Sequence, residues 1–247
     1  MFFFPFTKKI FNKFSFDFGY SFSKTLAIIF LSYASYVLST LKITPFKREF
    51  LFLIIGVFGL LNFFIFIKKN QKNKKSINPY AFYIIIVEEI LFFVSFLFWS
   101  FIRSQEPSIR SLEKFMDFGF INSILRSSYF PPKDMWYTPL SINYYYFGHL
   151  TGAFLIKLTN ILPSIGYNLI LATIFAQGVT LTFSLVGNIL KLISSKLKTF
   201  TLVIYGLIGA FLVNLAGNLH TIYLFTTGYP TNDNVAPNSF LENIVKI

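Results

Sequence analysis

Apolar runs of 17 to 24 residues alternate with short polar or basic breaks along most of this chain. Helices that cross a bilayer give this pattern, whereas helices packed in water show one apolar stripe. Five such runs predict five spans, over residues 25–41, 50–67, 80–102, 167–190 and 200–219. A sixth apolar stretch, residues 144–162, is interrupted by Lys157 and closed by Pro163, and predicts a surface-lying or re-entrant helix. Residues 1–24 mix phenylalanines with Lys8, Lys9, Lys13 and Lys24, which suits an interfacial amphipathic segment, rings in the acyl boundary and ammonium groups in the headgroups. The expected fold is all-α: a polytopic transmembrane protein forming a single integral-membrane domain over residues 1–247.

Composition strengthens this reading. Charged residues make up 13% of the chain, against about 25% in soluble domains, and phenylalanine alone supplies 35 residues. A net charge of +12 would suggest nucleic acid in a soluble protein. Here the lysines cluster between spans as topology signals, so a membrane lipid is the expected partner and nucleic acid is not. Placing the N-terminus and residues 68–75 and 191–198 in the cytoplasm puts twelve of the 22 basic residues inside. The loop 103–149 and the tail 220–247 then lie outside, and Asp17 alone among the acidic residues is cytoplasmic. The chain has no cysteine, which excludes disulfides and thiol chemistry, and its two isolated histidines make a His-based metal site improbable.

Candidate chemistry concentrates in the loop 103–149, which carries Glu106, Glu113, Asp117 and Asp134, four of the ten acidic residues. Ser104 and Pro107 suit a helix start, and Leu112, Met116, Phe120 and Ile124 continue at helical spacing, so a surface helix is expected over residues 107–127. Glu113 and Asp117 then share a face with Arg110. Paired carboxylates near lipid can serve as a general base or a metal ligand, and equally as a face turned to water. In the turn 129–137, Trp136 reads as an interfacial anchor and Asp134 as a functional candidate. Tyr144, Tyr145 and Tyr146, taken as helical, point in different directions, so some of them can line a polar cleft and stack on a sugar ring. His149 is either a base or a packed helix residue. Arg103, Arg110 and Arg126 match a phosphate, or a lipid headgroup. Glu88 and Glu89 sit inside a span, where a carboxylate marks either function or a buried polar pairing.

Several of these motifs resemble a known family. Glu113-Lys-Phe-Met-Asp117, Ile121-Asn-Ser-Ile-Leu-Arg-Ser127, Phe130-Pro-Pro-Lys-Asp134-Met-Trp136 and Ile142-Asn-Tyr-Tyr-Tyr-Phe-Gly-His149 resemble the YYY membrane proteins. This uncharacterised family, of Chloroflexi and archaeal type, is named for its triple tyrosine. Gly19-Tyr20, Lys24, Glu89, Tyr167-Asn168-Leu169 and Gly217-Asn-Leu-His220 fit the same pattern. The resemblance implies further spans on both sides, so the chain is expected to be an N-terminal portion of a longer protein. The family is in turn similar to the GT-C superfamily of glycosyltransferases, which use polyprenyl-phosphate sugars. That similarity implies Asp117, with Glu113 second, as a general base or an aid to a divalent cation. It also implies arginines holding the lipid phosphate. The alternatives from the residues alone are a lipid or solute transporter or flippase working through Glu88 or Glu89, and a non-catalytic membrane scaffold.

Overall fold

The computed structural model describes residues 3–70 and 79–217. Among them the secondary structure is helical apart from one isolated bridge between Lys133 and Ser141. The helices are α1 (Phe4–Ile10), α2 (Tyr20–Thr40), α3 (Arg48–Asn70), α4 (Pro79–Gln105), α5 (Leu112–Arg126), α6 (Phe147–Thr159), α7 (Pro163–Ile193) and α8 (Thr199–Asn214).

By length and composition, α2, α4 and α7 can cross a membrane. Against the expected count of five spans, three helices among the described residues are long and apolar enough to cross. The second expected span lies on α3, and the fifth is helical only from Thr199 to Asn214, 16 residues. Positions 71–75 of the lysine block and the whole of the tail 220–247 lie outside the described residues. The helix α6 is 13 residues long, about 20 Å at 1.5 Å per residue, well short of a bilayer core of about 30 Å.

Two boundaries differ from the sequence expectation, each for a local reason. The first span starts at Tyr20 rather than at position 25. Asp17 accepts the backbone N–H groups of Gly19 at 2.9 Å and Ser21 at 3.4 Å, and Gly19 takes a left-handed φ of 73°. Donors at the new helix start are thereby satisfied five residues earlier than hydropathy suggests. Asp17 is accordingly buried in the bundle, with 0% exposure. In the second case, α4 runs on to Gln105, so Ser104 ends one helix and does not begin another. The following helix starts at Leu112, where the Ser111 hydroxyl accepts the Lys114 N–H.

The helix α7 is the hub: α4 packs along one side of it and α8 along another. Small residues make this possible. A Cβ on Gly206 would come within 2.8 Å of the Phe183 ring, and one on Gly187 within 2.4 Å of the Phe16 ring. Phe16, Ile84, Val179, Phe183, Leu202 and Ala210 form one apolar core there. A second core lies among α5, α6 and the turn after α2, built on Phe46, Ile124, Phe130, Leu150 and Phe154. Large apolar side chains such as Phe64, Phe82, Phe93, Phe101 and Phe211 remain more than half exposed, as a lipid-facing surface requires.

These contacts sort the polar segments into two ends. At one end, Phe46 N–H donates to Ser128 O at 2.7 Å and Arg103 meets Asn168, so the turn after α2, the end of α4, α5, α6 and the start of α7 lie together. At the other, Phe16 N–H donates to Asn188 Oδ1 at 3.1 Å and Tyr20 bonds Glu89, joining the start of α2, the first half of α4 and the end of α7.

Candidate functional site

The first end brings together a cluster whose centre is Asp117 and His149. Asp117 projects from α5 and His149 from the first turn of α6, and His149 Nε2 lies 2.9 Å from Asp117 Oδ1. With Asp117 ionised, Nε2 carries the hydrogen of that bond. The pair is 32 positions apart in sequence; packing of α5 against α6 closes it. The imidazole side chain is 16% exposed and the carboxylate 36%, so the acid faces water while the base is set behind it. The second ring nitrogen, Nδ1, is buried without a partner.

Tyr167 of α7 joins this pair, and Arg103 of α4 and Asn168 of α7 lie next to Tyr167. Tyr167 interacts with the Asp117 carboxylate and feels the Arg103 charge. Arg103 grips Asn168 Oδ1 with two donors, Nε at 3.0 Å and Nη2 at 2.6 Å. The Asn168 amide in turn donates to Pro107 O and Ser164 O, both at 3.1 Å. The guanidinium is thus fixed at the end of α4 instead of waving in water. Tyr167 and Asn168 were not among the residues expected to act, although both stood in the family-like motifs. A polar pair in the first turn of an apolar span was the available signal.

The aromatic wall comes from α5 and from the loop between α5 and α6. Phe120 packs edge-on against His149, with centroids 5.2 Å apart, and against Trp136 at 6.2 Å. The tyrosine triad precedes α6 and is not part of it. Tyr144 and Tyr145 stack at 3.9 Å, and the Tyr144 hydroxyl donates to that of Tyr145 at 2.6 Å. That bond raises the Tyr144 hydroxyl above its ordinary range, with burial and the charges of Asp117 and Glu113 acting the same way. Tyr146 turns inward to Tyr36, and burial followed by their hydrogen bond pushes its hydroxyl up as well. Two tyrosines therefore face outward beside the acid–imidazole pair, and one is structural.

The remaining expected residues fall differently. Glu113 stands exposed one turn before Asp117 and makes no hydrogen bond among the described residues. Arg110 lies in the extended link before α5, off the helix face it was expected to share, and Arg126 is exposed in the last turn of α5. Asp134 is used by its own loop: its Oδ1 accepts the N–H groups of Trp136 at 2.7 Å and Tyr137 at 3.0 Å. A short polar side chain beside prolines makes such turns readily, which is why it looked unemployed in the sequence. Glu106, at the end of α4, is held below the usual carboxylate range by its bonds from the Ser108 hydroxyl and N–H.

A divalent cation was one reading of the paired acids. Among the described residues no three histidine or acidic side chains converge as a metal site, and Asp117 is already engaged by His149. The donors present do not fit a metal ion, so no chemical step is routed through one.

Of the intramembrane glutamates, Glu89 is paired. It lies 2.7 Å from Lys24 Nζ and accepts the Tyr20 hydroxyl at 2.8 Å. Glu88 is buried beside it at 2% exposure.

The family described as Uncharacterized membrane protein (DUF2298) matches residues 30–243. No curated protein and no solved structure matches the chain.

Proposed function

The chain belongs to this uncharacterised family of membrane proteins, DUF2298, and from that premise we propose that it is a GT-C-like glycosyltransferase. In this reading it moves a sugar from a polyprenyl-phosphate donor to an acceptor hydroxyl, on the outer side of the membrane. The observation that carries the reading is the half-exposed Asp117 carboxylate held by His149 at the mouth of an aromatic wall, with Arg103 fixed close by.

Asp117 is the general base. The acceptor oxygen attacks the anomeric carbon and loses its proton to Asp117, the bond from that carbon to the phosphate oxygen breaks, and polyprenyl phosphate leaves. His149 is a positioning residue: its Nε2–H fixes the carboxylate and spreads the charge that changes there during transfer. Tyr144 and Tyr145 offer a stacked face and hydroxyls to a sugar ring, and Arg103 stands where a phosphate would meet a planar fork. Glu113 keeps the mouth negative, Arg110 and Arg126 face the headgroup layer, and Asp134 shapes the loop.

The test is transfer of a radiolabelled sugar from polyprenyl phosphate in membranes containing the full-length protein. Asp117→Asn keeps the shape and removes the base, so transfer falls by about 10²–10⁴-fold while insertion is unchanged. Wild-type transfer by that variant removes Asp117 from the chemistry.

A further inference from the structure

The opposite end of the bundle holds a second acid pair, and its two members are treated unequally. Asp17 enters from the link before α2 and Glu88 from α4; their exposures are 0% and 2%. Asp17 is fully supplied with donors. Its Oδ1 accepts from Gly19 N–H at 2.9 Å and Asn188 Nδ2 at 2.6 Å, and its Oδ2 from Ser184 Oγ at 2.7 Å and Ser21 N–H at 3.4 Å. Neither oxygen of Glu88 has a donor, and the Ser21 hydroxyl beside it is also unpartnered. The polar groups acting on Glu88 are Asp17, Ser21 and Glu89.

An ionised carboxylate in that position would be shut from water, without a donor, next to a second acid. Each of these penalises the charged form. A carboxylic acid there needs only one acceptor for its O–H, and the Asp17 carboxylate acts on Glu88 from beside it. Among paired acids, the one with donors holds the charge and the one without holds the proton. A small cleft reaches Glu88 between Tyr20, Ser21, Lys24, Glu89 and Thr180. At its mouth the Lys24–Glu89 pair is partly exposed, 29% and 42%.

We propose that Glu88 is a reversible proton-binding site, holding a proton shared with Asp17 and exchanging it with water through this cleft. On release the O–H bond breaks with its electrons left on Glu88, and the proton passes to water in the cleft. The charged and titratable groups facing Glu88 are Asp17, Tyr20 and Lys24, with Glu89 on its own helix. From α7 come Thr180 to the cleft and Ser184 and Asn188 to Asp17, none of which titrates. A metal cation is disfavoured as occupant, because three unpaired oxygens fall short of the six or so a hard cation takes. The site stands independently of glycosyl transfer, since no residue is shared with the Asp117 cluster.

The experiment is infrared spectroscopy of the full chain in lipid vesicles over a pH ladder, with Glu88→Gln as the reference. The wild type should show one protonated-carboxyl band missing from Glu88→Gln. That band should weaken by about tenfold or more from the acid to the alkaline limb, and return on reacidification. Asp17→Asn, which leaves Glu88 in place, should keep the band and move its midpoint. No difference band at any pH overturns the proposal, and so does a band constant across the ladder, which makes the proton a fixed part of the core. An unmoved midpoint in Asp17→Asn overturns the sharing, and a midpoint that follows sodium concentration replaces the proton with a cation.

Discussion

The two polar regions of this protein are built in opposite ways. Around Asp117 and His149, the groups come from a surface helix, a loop and two helix ends, and the acid keeps more than a third of its side chain in contact with solvent. Around Asp17 and Glu88, the groups come from within the bundle and are buried near Phe16, Phe183 and their neighbours, with one narrow cleft leading in. Water can stabilise a charge at the first site, so an acid there remains available to a substrate. At the second, every hydrogen bond must come from the protein. An imbalance of donors therefore decides which acid carries charge. Exposure favours chemistry on an outside molecule, whereas burial favours holding a small ion or a proton.

Breaking the buried region should have the largest effect on stability. Asn188→Leu removes donors from Asp17 and the acceptor of Phe16 N–H, leaving buried polar groups unpaired at a cost of about 3–5 kcal/mol. Thermal unfolding in detergent should show a large drop. An unchanged midpoint would mean that water reaches Asp17 and that the two regions are less different than described. Gly187→Leu attacks the same region sterically, through the Phe16 ring, at a cost of about 1–3 kcal/mol in the same measurement. Both variants should leave the Asp117–His149 contact in place.

Arg103→Lys probes the exposed region. Losing the two-pronged grip on Asn168 should raise KM for the lipid-linked donor by about tenfold and leave kcat nearly unchanged. A fall in kcat instead would bring Arg103 into the chemical step. The smallest effect concerns Lys157, a strongly shifted amine outside the spans. Burial lowers it from 10.5 to about 8, with Glu49 acting in the opposite direction. Between those values the unfolded chain binds more protons than the folded one, so stability should rise as pH climbs from about 8 to 10.5. In Lys157→Met, unfolding midpoints over that window should lose this part of the slope.

Long apolar runs made the helices around residues 25–41, 80–102 and 167–190 legible, because hydropathy alone decides such segments. The helix carrying Asp117 was legible too, since its apolar spacing is helical. Its start was not: Ser104 and Pro107 mimic a cap, but Arg103 bonds Asn168 across the bundle and α4 continues past the apolar run. The partnership of Asp117 with His149 spans 32 positions, and that of Asp17 with Asn188 spans 171. No local pattern reports such pairings; they follow from how α5 meets α6 and how the N-terminal link meets α7. Asp134 shows the converse, an acid with no apolar duty that serves its own turn.

One pair of helices carries parts of both regions. Glu88 and Arg103 ride on α4, fifteen positions or about 22 Å apart, and Ser184 and Asn168 ride on α7 across a similar length. Helices this closely clasped behave as a single stiff beam, so a tilt provoked at the sealed end arrives at the open end as a displacement. About 1 Å of misalignment there is enough to change a rate a hundredfold. If both proposals hold, a proton too deep to touch any substrate would still reach the other site as a shift in its geometry.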